Sequence, residues 1–305
     1  MRAERDMTKE MAYYSAGYLI IGKRDREEWM DDRILPTKVV SASSCICEGY
    51  PYVWDLFGTW RTRRGGVSTF TVTRWPLGRK SPGGSEYWTQ DEIIKHAKDK
   101  LNLDRKSFSK LGKWVKKEYE AKHIEFPHIF LGLNTAREFY RKFLQHIPDL
   151  ELIGIGFPKE SIDKYRKDLK RDQMRQDADS RLLSEIPDAV AFDEERREPY
   201  MQDEADFKVK EDGLLGILSR FEPIDPSGII LGFEILGGGG CYNFHSHICY
   251  SLDTELREEL GVIFNENGLI DSYEDAARST RYIEEGEEVE NVDWYPCPIV
   301  RYEFL

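Results

Sequence analysis

The chain has 305 residues, 40% of them hydrophobic and 12% aromatic. That is enough apolar material for one large domain or two ordinary ones, and too much for a disordered chain. Its formal net charge of −12 opposes stable binding to nucleic-acid phosphates, and no apolar run reaches the ~20 residues of a membrane-spanning helix. Five cysteines without dense spacing point to a reducing cytoplasm, and the segment MRAERDMTKE has no signal-peptide pattern.

Taken in order, Tyr18–Ile21 reads as a short strand, and the alternating, β-branched Thr37–Cys47 as a longer one. Tyr52–Trp60 and Val67–Trp75 are further strands, joined by the turn RTRRGG, so an antiparallel amino-terminal sheet is expected. Arg79–Ser85 is a Pro/Gly loop. A capping-box pattern at Thr89–Glu92 starts a helix with Ile93, Ile94, Ala97 and Leu101 on one side. Helices follow at about Phe108–Lys122 and Thr135–Ile147, the latter burying Phe139, Phe143 and Ile147. Leu150–Ile155 is a buried strand that Pro158 stops.

Lys159–Ser184 reads as a highly charged helix, and Ile186–Asp212 as an irregular acidic arm. Beyond it come a hairpin, Ile229–Leu236 with Cys241–Tyr250, then helices near Thr254–Leu260 and Tyr273–Glu284, and a last strand at Ile299–Phe304. The expected fold is α+β. Residues 1–158 form an amino-terminal sheet-and-helix domain, 159–211 a charged helical connector, and 212–305 a small α+β module.

Charge is distributed unevenly. Arg61–Lys80 holds six basic residues and no acidic one, whereas Ser251–Leu305 holds fifteen acidic and four basic. A basic front and an acidic back suit head-to-tail self-association or contact with a charged protein surface; the bland alternative is a solvated surface.

The segment CYNFHSHICY invites a chemical reading. On a strand, Cys241, Asn243, His245, His247 and Cys249 share one face, since successive side chains alternate. Zinc takes Cys and His in a tetrahedral set. His245 and His247, two apart and about 7 Å from each other, are placed to share a metal with Cys241 or Cys249. Cys45 and Cys47 form a second same-face pair. Against this, there is no Cys-x-x-Cys, no His-Glu-x-x-His and no second ligand cluster at standard spacing. The alternative is a polar sheet face with hydrogen-bonded imidazoles. No cofactor and no metal is therefore expected, and a zinc-dependent hydrolase on His245 and His247 is the alternative.

No nucleophile-elbow or papain-like context surrounds any Ser or Cys. Gly237–Gly240 is followed by a strand, without the Lys-Ser/Thr of a phosphate loop, so it reads as a hairpin turn that needs positive φ. Arg61, Arg63, Arg64, Arg74 and Arg79 are interleaved with Trp60, Phe70 and Trp75. Such a surface stacks and neutralises nucleic acid, or docks on protein, and the total charge favours protein. Aromatics and arginines dominate interface energetics, which makes Trp54, Trp60, Arg64 and Trp75 the partner-binding candidates.

Leu231–Ile235 (LGFEI), Phe244–Cys249 (FHSHIC), Glu259–Gly261, Asn265–Ile270 (NENGLI) and Glu274–Ala276 together resemble a module of bacterial immunity-like proteins and phage-encoded inhibitors of bacterial defence, those acting on the Gabija complex in particular. The resemblance implies a non-enzymatic protein in the host cytoplasm. Such a protein oligomerises, binds a nuclease-type defence complex and keeps DNA from it. A plain structural or assembly protein is the remaining alternative.

Overall fold

A computed structural model describes residues 12–26, 28, 30–43, 48–50, 101–125, 129–187, 193–238, 244–286 and 292–305. The strands expected at Tyr52–Trp60 and Val67–Trp75 lie outside these residues, as does the helix expected from Thr89 except for Leu101, which is helical and buried. The described strands are β1 (Tyr13–Gly22), β2 (Arg24–Asp25), β3 (Lys38–Val39), β4 (Glu48–Tyr50), β5 (Ile124–Glu125), β6 (Ile129–Phe130), β7 (Leu150–Pro158), β8 (Ile229–Gly238), β9 (Phe244–Ser246) and β10 (Asp293–Tyr302). The described helices are α1 (Arg105–Glu120), α2 (Leu133–Phe139), α3 (Lys159–Glu185), α4 (Glu194–Arg197), α5 (Gly213–Leu218), α6 (Leu252–Leu260) and α7 (Tyr273–Glu285).

The fold is α+β, built on one antiparallel sheet in the order β5-β6-β1-β7-β10-β8-β9, with β4 also paired to β1. β7 pairs with β1 on one side and with β10 on the other. Strands from 1–158 and from 212–305 therefore lie in a single sheet. The boundaries expected at 158 and 212 do not coincide with a break in it. No sequence pattern announces this, because pairing of β7 with β10 joins residues far apart in the chain.

Side-chain alternation sends each long strand into two cores. Leu19 and Ile21 of β1, Ile153 and Ile155 of β7 and Cys297 and Ile299 of β10 face α3 and α5, where they meet Ile162, Tyr165, Leu214 and Leu218. Tyr18, Ile20, Leu152, Val300 and Tyr302 face the opposite way, onto Leu111, Trp114 and Val115 of α1 and Phe139 of α2. Further along that second face, Phe233, Ile235 and Trp294 pack against Leu252 and Leu256 of α6 and Ile283 of α7. Coverage on both faces explains why YLII, LIGIGF and GFEIL are nearly continuous apolar runs.

The α1 helix begins at an Asp104 cap, whose Oδ1 accepts the Ser107 amide at 2.6 Å. Its apolar Leu111, Trp114 and Val115 recur at helical spacing and turn inward. α2 continues into a π turn at Tyr140–Leu144, so the apolar positions expected for one helix straddle two helical forms. The acidic arm is largely irregular, holding only α4 and a single 3-10 turn at Glu198–Tyr200 among its described residues.

Three expectations are corrected. Thr37–Cys47 is not one strand: β3 covers only Lys38–Val39, and Val40–Ser43 are buried without strand pairing. The second arm of the hairpin is short, because β9 ends at Ser246 and His247–Tyr250 form a 3-10 turn. Of the turn expected at Gly237–Gly240, Gly239 and Gly240 lie outside the described residues, while Gly237 lies within β8, where crowding rather than positive φ explains it: a Cβ there would come 2.7 Å from Val292 Cγ2 and 3.2 Å from the Trp294 ring. Gly17 is one of several described glycines that do have positive φ. It has φ +119° at the β1 bulge, and a Cβ would lie 2.2 Å from Ile129 Cγ2.

Candidate functional site

The His/Cys segment does not present one face. The Ser246 Oγ accepts the Ile248 amide at 3.3 Å and caps the 3-10 turn, which ends the alternation of the strand. His245 remains on β9, half-buried, with its Nδ1 3.5 Å from the Tyr250 hydroxyl. His247 is fully buried, and its ring stacks on Phe264 at 5.6 Å between centroids. Its Nδ1 lies 3.5 Å from Ser246 Oγ, and its Nε2 has no hydrogen-bond partner among the described residues. Burial pushes its pKa down to about 4, against a smaller opposite pull from the Ile235 backbone, so the ring is neutral near pH 7. Cys249 sits 3.2 Å from the Ser43 hydroxyl. Cys241, Cys45 and Cys47 lie outside the described residues, among which no group of three or more His, Cys, Asp or Glu side chains is placed to hold a metal.

A polar cluster unforeseen from the sequence sits on the other side of the same strands. Glu234 interrupts the apolar run of β8 and is fully buried opposite Cys297. One of its carboxylate oxygens bonds the Ser41 hydroxyl, and the other accepts the Ala42 amide at 2.8 Å. The Ser41 Oγ also accepts the Ser43 amide at 3.0 Å. The cluster thus pins Ser41 and Ala42 to the sheet, satisfying polar groups buried there. Burial raises the Glu234 pKa to about 7, against the lowering effect of the Ala42, Ser41 and Ser246 hydrogen bonds. Neither Ser41 nor Ser246 has any solvent exposure, so neither hydroxyl meets a substrate. This cluster holds the fold.

The elements of the carboxy-terminal resemblance meet in space. Phe233 and Ile270 exchange backbone hydrogen bonds of 2.7 and 2.9 Å. Asn265 closes the NENGLI turn: its Oδ1 accepts the Asn267 and Leu269 amides, and its Nδ2 donates to the Leu231 carbonyl. These residues shape the local backbone here.

A third cluster is partly open to water, where α3 meets β10 and α7. The Lys164 ammonium lies 2.9 Å from Asp168, 2.7 Å from Glu284 and 3.9 Å from Asp293, and 4.6 Å from the centre of the Tyr295 ring. Arg171 also bonds Asp168, and the Tyr295 hydroxyl donates to it at 2.9 Å. Burial, then the neighbouring Asp168 charge, raises the Asp293 pKa to about 6. Perturbed groups of this kind mark catalytic sites and structural networks alike. Here Lys164 and Asp168 are already engaged by one another and by their neighbours, which favours a network that fastens α3 to the sheet. Tyr295→Phe is accordingly expected to cost about 1–2 kcal/mol, because it removes a bond to a buried carboxylate. Thermal unfolding of the variant checks this; an unchanged midpoint would show that the hydroxyl contributes nothing.

The surface, unlike these interiors, carries uncommitted charge. Arg105, Lys106, Lys110 and Lys113 are exposed on α1 and, with Ser109, line a shallow depression. Among the described residues none of the four has an ion-pair partner, whereas many cations of α3 do, as in Lys159–Asp163, Arg166–Glu211 and Arg181–Asp177. These four residues were not singled out from the sequence; their spacing on the helix brings them onto one face. Trp54, Trp60, Arg64 and Trp75, the expected partner-binding residues, lie outside the described residues. Among the described residues no helix is long and apolar enough to cross a membrane. The chain matches no family model, no curated protein and no solved structure.

Proposed function

We propose that this chain is a non-catalytic binding protein that blocks a nuclease-type bacterial defence complex, as phage-encoded inhibitors do, by occupying its surface. The observation that carries the reading is the contrast between its interior and its surface. The titratable clusters described above are enclosed or tied up in internal bonds, while the face of α1 presents cations with no ion-pair partner among the described residues. Charge that is not used internally is available for recognition and for steering a partner into register. The sequence resemblance of the β8–α7 region supplies the class of partner.

A blocker acts by occupancy, so each copy disables one site. Titrating the protein against a purified nuclease-type defence complex while following DNA cleavage is expected to give full inhibition near one copy per site. Inhibition at a hundredfold lower ratio, with a chemically altered complex or DNA, would show turnover and overturn the reading. Replacement of Trp60, Arg64 or Trp75 by Ala is expected to weaken inhibition tenfold or more, as interface anchors do.

A further inference from the structure

One basic helix and one acidic helix cover different parts of the same sheet face. Among the described strands β5 is outermost at one end and β9 at the other. α1 packs beside β5, and α6 packs beside the 3-10 turn that follows β9. The two helices thus flank opposite ends of the strand order, six strand-to-strand steps apart.

On α1 the helical repeat brings Arg105, Lys106, Ser109, Lys110 and Lys113 onto one arc of roughly 140°, all of them exposed. On α6 the spacing 255, 258, 259 is i, i+3, i+4, which puts three exposed glutamates on one face. Arg257 falls on the other side of that helix. The Glu255 carboxylate accepts the Tyr282 hydroxyl at 2.8 Å, while Glu258 and Glu259 have no ion-pair partner among the described residues. Just past α6, Ile263 is 69% exposed.

We propose that the basic face of α1 docks on the acidic face of α6 in a second copy of the chain, joining copies head to tail. Among the described residues each face lacks an ion-pair partner, and α1 and α6 pack against different core clusters, so a second copy satisfies both. Three acids at helical spacing match the cations of the facing helix, and their reach is short: charges screen over ~8 Å at physiological salt, which confines the attraction to the contact despite the −12 total. A duplex nucleic acid is the competing occupant. It carries one charge per ~1.7 Å along its whole length, and the rest of this acidic chain repels it. Contacts of this heterologous kind close into rings or run on as filaments. The inference deepens the binding reading by naming a self-association surface, and it is read by mass rather than by inhibition, so the two fail separately.

The test is sedimentation velocity of the full chain at low and high salt. Species above the 35.7 kDa monomer are expected at low salt and are expected to dissociate at high salt. Lys110→Glu/Lys113→Glu and Glu258→Lys/Glu259→Lys should each be monomeric alone, with unchanged circular dichroism, since all four positions are exposed. Mixed in equal amounts, the two variants should associate again, because each retains the face that the other has lost. A monomeric wild type at low salt, or a mixture that stays monomeric, overturns the proposal. So does a monomeric wild type that shifts a duplex oligonucleotide, with the shift lost in the lysine variant; that outcome would assign the face to nucleic acid.

Discussion

Replacing Glu234 by Gln is expected to change the pH dependence of stability more than its value at acid pH. The folded-state pKa of about 7 stands above that of an unfolded glutamate. Between about pH 4.5 and pH 7 the folded chain therefore holds a proton on Glu234 that the unfolded chain has lost, and this group's contribution to stability falls as pH rises through the window. Above it both states are ionised, and the full loss, about 3 kcal/mol, has been incurred. Below it the protonated carboxyl can donate to Ser41 and accept from Ala42, and Gln can reproduce both bonds. The variant should match the wild type at about pH 4.5 and exceed it by up to about 3 kcal/mol at about pH 8. Urea unfolding at closely spaced pH values reads this directly. Parallel curves for the two proteins would mean that Glu234 keeps an ordinary pKa.

His247→Phe is expected to produce the opposite difference. The ring's folded-state pKa of about 4 lies below that of a free histidine. Between about pH 4 and pH 6.5 the unfolded chain binds a proton that the folded chain refuses, so this group destabilises the fold as pH drops. Phenylalanine retains the stacking on Phe264 and has no charge to bury. The variant should hold its stability on acidification, gaining up to about 3 kcal/mol over the wild type at about pH 4. The two windows overlap and their slopes oppose each other, so in the wild type they largely cancel between about pH 4.5 and pH 6.5. The Glu234→Gln background exposes the histidine slope, the His247→Phe background exposes the glutamate slope, and the double variant should lose both. A single variant without a new slope would show that the remaining group does not titrate as its burial demands.

These two residues also mark where the sequence stopped being informative. Parity along CYNFHSHICY grouped His245, His247 and Cys249 as one strand face, and that reading depends on the strand continuing. It ends because the Ser246 side chain captures the Ile248 amide, a local competition between side chain and ladder that alternation does not register. Glu234, by contrast, was visible as a lone acid inside LGFEIL. Its meaning was not visible, since its partners Ser41 and Ala42 are nearly two hundred positions away.

Local periodicity did determine much of the architecture. A helix was expected at about Phe108–Lys122 where α1 lies, the charged run from Lys159 located α3, and the apolar runs of β1, β7 and β8 were recognisable as strands. These signals are carried by neighbours in sequence, where one face must be apolar and the other need not be. The strand order lay beyond reach, because pairing β7 with both β1 and β10 merges the ends of the chain by contacts that no local pattern encodes. The same holds for charge. Composition showed a basic front and an acidic back, but only the tertiary structure packed α1 and α6 against different core clusters of one sheet.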